Sequence, residues 1–281
     1  MKRRSPLRLP NGKFREKDYV LSMIPDGIKE YRGIRMGAGH VSMEIINSSS
    51  LGIEKIWLND ENPDTVSFFQ HASYYNEEVV SKVEQLIRQM SRKELFDYCK
   101  NALVKEKQKV IDRDDILCSA AFFIINRLSF AGTLTGGYCN DNWMDGKTPR
   151  LNSSAIKRLE TMSGLIRSGV LLTNIDYAVP LSAPSKYKDD EVFIFVNPPF
   201  YNSSMQMYNK SESDGNLFDY KSLADELCDT SYRWLMVIDD TKYIRELFSF
   251  ANIVPKSVIT GKSGAYLNKI QHRDILYISN Y

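Results

Sequence analysis

Apolar positions along this chain change period several times, and each change marks an element. Val192-Phe193-Ile194-Phe195-Val196 is an unbroken aromatic and β-branched run, the pattern of a strand covered on both faces. Asn197-Pro198-Pro199 ends it, because neither proline can donate a ladder hydrogen bond. Ile53 to Leu58, Val170 to Ile175, Arg233 to Ile238 and Asp274 to Tyr281 read as further strands, with a short one ahead of Gly37. Between them the period lengthens. Helices are predicted from Lys17 to Ile24 closed by Pro25, from Val41 to Ile46, from near Pro63, from Ile116 to Leu128, from about Ser153 to Ser168 and from Leu217 to Leu227. From Thr65 to about Val110 the apolar residues Val79, Val83, Leu86, Ile87, Leu95 and Phe96 recur at helix spacing in a highly charged background. Strands alternating with helices predict a mainly parallel, doubly wound α/β sheet of Rossmann-like type, split by a mostly helical insertion.

Open α/β sheets bind ligands at the carboxyl ends of their strands, so the strand exits carry the candidate chemistry. At the exit of the apolar strand, Asn197-Pro198-Pro199-Phe200 is either a plain strand stop or a site for a nucleobase. In the second reading Asn197 Oδ1 and the Pro198 carbonyl accept both hydrogens of an exocyclic amine while Phe200 stacks on the ring. Met36-Gly37-Ala38-Gly39 could let the backbone pass close to a ligand, or form a structural turn. Asp60, ending the strand Ile53 to Leu58, is placed to accept from ribose hydroxyls, a role compatible with an Asx turn before the helix at Pro63. Asp176-Tyr177 suits an adenine, the acid accepting from its amine and the ring stacking on its face.

Composition narrows the class without choosing a substrate. The net charge of +2 permits nucleic-acid contact without arguing for it. Lys82, Arg88, Arg92, Lys93, Lys100, Lys105, Lys107 and Lys109 read first as a solvated helical face. Four cysteines without a CxxC pair and three histidines argue against a zinc site or a disulfide framework, and fit a reducing cytoplasm. The longest apolar run, Leu117 to Ile125, is shorter than the roughly 20 residues of a membrane helix. Met1-Lys2-Arg3-Arg4 is followed by polar residues and not by the apolar core of a signal peptide. No metal and no membrane are therefore expected.

Asn197-Pro198-Pro199-Phe200 resembles the Asp/Asn-Pro-Pro-Tyr/Phe motif of amino-methyltransferases that act on DNA, most closely the Dam-type adenine-N6 enzymes. Ser5-Pro6-Leu7-Arg8-Leu9-Pro10-Asn11-Gly12-Lys13 is similar to that family's N-terminal Ser-Pro-Leu-x-Tyr-Pro-Gly-Gly-Lys. Tyr31 to Gly39 is similar to its Tyr-x-Glu-Pro-Phe-x-Gly-Gly-Gly, with Gly33, Ile34 and Arg35 standing where the family has Glu, Pro and Phe. Asn59-Asp60-Glu61-Asn62-Pro63 resembles Asn-Asp-x-Asn-Pro. Phe122 to Gly132 resembles Phe-x-x-x-Asn-Arg-x-x-Phe-Asn-Gly, and the family's Asp-His stands where this chain has Asp219-Tyr220.

The resemblance implies an S-adenosylmethionine-dependent methyltransferase sheet and transfer of methyl to N6 of an adenine rotated out of double-stranded DNA. It implies Asn197, Pro198 and Phe200 as catalytic residues. Pro10, Lys13, Met36, Gly37, Gly39, Asp60, Asp176 and Tyr177 would lie on the cofactor, and Arg127, Ser129, Gly132 and Tyr138 on DNA. The expected domains are a catalytic one from 1–64 and 161–281 and a helical target-recognition insertion over 65–160. Beyond Gly132 the likeness fades, so the family's DNA-reading hairpin is expected shortened or rebuilt, and its usual GATC site does not carry over. The alternative is a non-catalytic DNA-binding homologue or a regulatory partner of an active subunit, motivated by Gly33-Ile34-Arg35.

Overall fold

A computed structural model describes residues 3–9, 12–109, 111–139, 150–166, 170–201, 218–262 and 270–281. The chain forms two compact units, one of residues 18–36, 48–61 and 169–281, the other of residues 1–17, 37–47 and 62–168.

The first unit is built on a seven-stranded sheet: β1 Glu30–Ile34, β2 Lys55–Asn59, β3 Val170–Thr173, β4 Val192–Val196, β5 Arg233–Asp239, β6 Asn252–Lys262 and β7 Ile270–Ser279. Their spatial order is β3-β2-β1-β4-β5-β7-β6. The first five are parallel, and β7 runs antiparallel to both β5 and β6. The strand order reverses direction between β1 and β4, so the crevice expected of a doubly wound sheet lies at their carboxyl ends. Every residue of β1 and β4 is buried, which explains why β4 reads as a continuous apolar run and not as an alternating one.

β6 was not legible in the sequence. Pro255 interrupts its pattern, and it is tolerated because β6 is the outer strand and pairs on one side with β7 only.

Helix α1 is Lys17–Ser22; in the second unit, helix α2 is His40–Asn47, α3 Pro63–Tyr74, α4 Asn76–Gln89, α5 Arg92–Lys107, α6 Asp115–Leu128 and α7 Ser153–Glu160. The long helical stretch therefore resolves into three helices. Asn62 caps α3 by accepting from the Asp64 N–H, Glu94 accepts from the Ser91 N–H ahead of α5, and Asp114 caps α6 by accepting from the Leu117 N–H. Every residue from Cys118 to Leu128 is buried, so α6 is apolar all round because it is the core helix that α3, α4 and α5 enclose. Phe68 of α3 stacks on Phe122 and Phe123 of α6.

The lysines and arginines of these helices are largely engaged. Lys93 bonds Asp97, Lys107 bonds Asp64, Lys109 bonds Glu106 and Lys100 donates to the Leu134 carbonyl. That is a mixed solvated face of the kind the charge pattern suggests. No helix among the described residues is long and apolar enough to cross a membrane.

Candidate active site

The exit of β4 is held from several sides within the sheet unit. The Asn197 N–H donates to the Ile34 carbonyl of β1 at 3.2 Å, tying the two strands together at the reversal point. Helix α9, Tyr220–Asp229, starts at Asp219, whose Oδ1 caps it by accepting from the Lys221 and Ser222 N–H groups. The Tyr220 hydroxyl then donates to the Pro199 carbonyl at 2.9 Å. Asp239, at the end of β5, accepts from the Tyr201 N–H at 2.6 Å, and the Tyr201 ring stacks on Tyr243 at 4.9 Å.

Two acceptors are left. Among the described residues nothing donates to the Asn197 amide oxygen or to the Pro198 carbonyl. Asn197 is half-buried. The neighbours of this segment are fixed, while the two acceptors that the sequence offers to an exocyclic amine carry no donor from the described residues. Phe200 is 4% exposed, and the Arg273 guanidinium of β7 lies 5.2 Å from its ring centroid. A base can stack on that ring only after its covering side chains shift.

The exits of β1, β2 and β3 meet at the other side of the crevice. Asn59, fully buried, accepts from the Thr173 hydroxyl and the Ile175 N–H and donates to the Ile175 carbonyl. Asn174 donates to the Asp60 carbonyl, and the Asp60 N–H to the Thr173 carbonyl. This stitching sets Asp60 and Asp176 at adjacent strand ends. The Asx turn offered as the other account of Asp60 is made by Asn62, which caps α3. Asp60 is buried, whereas Asp176 is exposed and accepts from the Ala178 N–H just ahead of the short helix α8, Ala178–Ser182.

Tyr177 packs on Phe218 at 5.7 Å, and burial pushes its hydroxyl above the ordinary range despite a bond with Ser222. Met36 is buried, its N–H on the Asn59 carbonyl. Arg35, between β1 and Met36, adopts a left-handed φ of 54° and bonds Glu61 at 2.6 Å while its guanidinium lies 4.7 Å from the Phe218 centroid.

Lys13, Gly37, Gly39, Arg127, Ser129, Gly132 and Tyr138 belong to the helical unit; Pro10 lies outside the described residues. Gly37 and Gly39 have φ of 51° and 69°, a backbone course that favours glycine. Lys13 is buried.

Two motifs far apart in sequence meet in this unit. Asn126 accepts from the Arg8 N–H and donates to the Arg8 and Gly132 carbonyls, and Arg127 gives its guanidinium to the carbonyls of Arg150 and Pro6. A Cβ on Gly132, at φ 81°, would overlap the Arg8 carbonyl, so only glycine fits there. Arg127, Ser129 and Gly132 are buried and brace the loop that follows α6. Residues 129–138 are joined by an antiparallel bridge between Ser129 and Tyr138.

Tyr138 is partly exposed against Phe96, and Phe130 is 48% exposed beside Ala131 at a left-handed φ of 55°. In the sequence Phe130 stands only as one position of the Phe122 to Gly132 motif, and an apolar residue two positions ahead of a glycine in a turn is the signal that marks it.

A model of the D12 class N6 adenine-specific DNA methyltransferases matches residues 12–261. No curated protein matches this chain in sequence. Two solved structures of the rRNA methyltransferase AviRa from Streptomyces viridochromogenes resemble it at 9% identity and a TM-score of 0.33, over 97% of this chain and 86% of that one. The family match runs from the N-terminal segment through the sheet and helices to β6, and on that ground the chain belongs to the D12 class N6 adenine-specific DNA methyltransferases.

Proposed function

We propose that this enzyme transfers the methyl group of S-adenosylmethionine to N6 of an adenine turned out of duplex DNA. The reading rests chiefly on the β4 exit, where the Asn197 amide oxygen and the Pro198 carbonyl await donors while Pro199 and Tyr201 are tied down. Asn197 and Pro198 accept the two N6 hydrogens, which steers the nitrogen lone pair out of the ring system and makes it the nucleophile. Phe200 presents the stacking face once Arg273 moves aside.

The donor set at the neighbouring exits fits an adenosyl cofactor. Asp60 suits the ribose hydroxyls, and Asp176 with Tyr177 suits the adenine. The bound cofactor supplies an electrophilic methyl on a good leaving group, so the protein's share of the barrier reduction is positioning. Met36, at the exit of β1 in the same unit, is the loop residue read with Asp60, Asp176 and Tyr177.

Residues 1–64 and 161–281 are read as the catalytic part and 65–160 as the target-recognition part. There Arg127, Ser129 and Gly132 hold a rigid loop, and Tyr138 with the exposed Phe130 offers apolar surface able to wedge into a base step. Incubation with tritiated cofactor and duplex DNA, followed by nucleoside analysis, tests the reading. Label is expected in N6-methyladenine and lost in Asn197→Ala. Label in cytosine, or in RNA alone, would contradict it.

A further inference from the structure

Phe200 closes the motif at the β4 exit, yet its ring is 4% exposed although the reading above gives it a base to hold. Its cover includes Arg273, whose guanidinium lies 5.2 Å from the ring centroid. That arginine reaches in from a distance. It stands on β7, which β5 separates from β4, so its backbone is about 10 Å from the β4 line, twice the spacing of neighbouring strands. The pairing of β5 with β7 ends at Asp239 and Ile275, followed by one bond from the Asp240 N–H to the Asp274 carbonyl. Arg273 is the next residue along β7, just past the head of β5, and it is half-buried. It lies outside residues 12–261, so the family match assigns it nothing.

We infer that Arg273 is the second wall of the base slot, its guanidinium stacking on the face of the target base turned away from Phe200. This rests on the reading of the β4 exit as a base site, where Asn197 and Pro198 hold the edge of the base and Phe200 one face. A guanidinium is planar and weakly hydrated, and it stacks on a nucleobase as an aromatic ring does. A base between two planes needs two contact layers, about 7 Å at ordinary carbon separations, so the guanidinium withdraws by about 2 Å to admit it. A long, half-buried side chain does that by changing rotamer, with no movement of the sheet. The cation favours the neutral adenine over the positively charged ring that forms as the methyl arrives. Its contribution is therefore to capture of the base and not to the transfer step.

Steady-state methylation of duplex DNA by the intact protein, read with tritiated cofactor at several salt concentrations, is the test. Arg273→Ala should raise KM for DNA about 5–30-fold, with kcat within about 2-fold of wild type. The slope of log KM against log salt should not change, because no phosphate contact is lost. Arg273→Lys keeps the charge and most of the length but loses the plane, so its KM should stay within about 3-fold of the alanine variant's. An unchanged melting temperature reports that the variants are folded.

A slope that falls by about 0.9 in Arg273→Ala, with slope and KM both restored by Arg273→Lys, makes the residue a phosphate contact and overturns the proposal while the base reading stands. So does a KM that does not move, or a loss of kcat that tracks a fall in melting temperature, the mark of a guanidinium that only covers Phe200. If the wild-type protein labels no adenine, the base reading itself fails and the second wall goes with it.

Discussion

Arg32, in the middle of β1, is wholly buried, whereas Arg35, just past the end of the same strand, is open to the crevice on one side. Arg32 donates through Nε to Glu30 at 2.8 Å and through Nη1 to the Pro180 and Ala183 carbonyls, and its guanidinium lies against the rings of Tyr232 and Trp57. Glu30 in turn accepts from Lys55 and from the Ser185 hydroxyl. Only Nη2 of Arg32 lacks a partner among the described residues. Arg35 has a single carboxylate, a strained backbone and one ring.

The difference separates two uses of charge on one strand. In the middle of the sheet an ion that costs much to bury is surrounded until its desolvation is repaid, and it pins α8 to the strand. At the head of the sheet acceptors and donors are left with capacity to spare, and that capacity is what a ligand can use.

Substitutions can break this contrast in order of effect. Arg32→Ala takes from Glu30 its fully buried partner, leaving it Lys55 and Ser185, and should lower the unfolding free energy by about 3–5 kcal/mol, read by urea denaturation. A loss under 1 kcal/mol would mean that the buried cluster contributes little. Asn197→Ala should do the reverse, lowering the methylation rate by about 10²–10³-fold, roughly 3–4 kcal/mol of barrier, with the melting temperature nearly unchanged. Equal damage to stability and rate would place Asn197 with the interior groups.

Tyr220→Phe removes the hydroxyl that holds the Pro199 carbonyl; a cost of about 1 kcal/mol is expected, seen as a several-fold fall in kcat. No change in kcat would show that the exit of β4 is rigid without it. The smallest effect concerns Glu30. Burial pushes its carboxyl upward, but bonds from Ser185, Arg32 and Lys55 outweigh it and hold it below the ordinary 4.5. Its folded value is thus below its unfolded one, so its contribution is present above pH 4.5 and is lost as pH falls through the folded value. Glu30→Gln should flatten the fall of melting temperature on the acid side of that point, and an unaltered slope would contradict the assignment.

What the sequence made legible was local. The β4 run, the helix start at Pro63 and the apolar α6 declare themselves because period and punctuation are properties of neighbours along the chain. Asp60 and Asp176 were found for the same reason, each being an acid at a strand end. The supports were not visible. Asn59 reads as an unremarkable residue beside Asp60, yet it is the side chain that joins the exits of β2 and β3. Tyr220 stood out only as a departure from a familiar pair, and its bond to Pro199 needs the return of a helix from across the sheet. Arg273 lies beyond residue 261, where the family match ends, and nothing local links it to Phe200. Arg127 looked like a cation for DNA because charge is read before burial; its guanidinium is spent on main-chain carbonyls.

Asn126 grips the backbone at Arg8 across a separation of 118 positions. During synthesis the segment around Arg8 therefore emerges well before this clasp can form. At ribosomal speeds of about 5–20 residues per second it waits roughly 6–24 s for its clasp to be made. A nascent chain paused ahead of residue 126 should leave Ser5 to Leu9 open to a protease, and one released after the loop at Gly132 has formed should shield it.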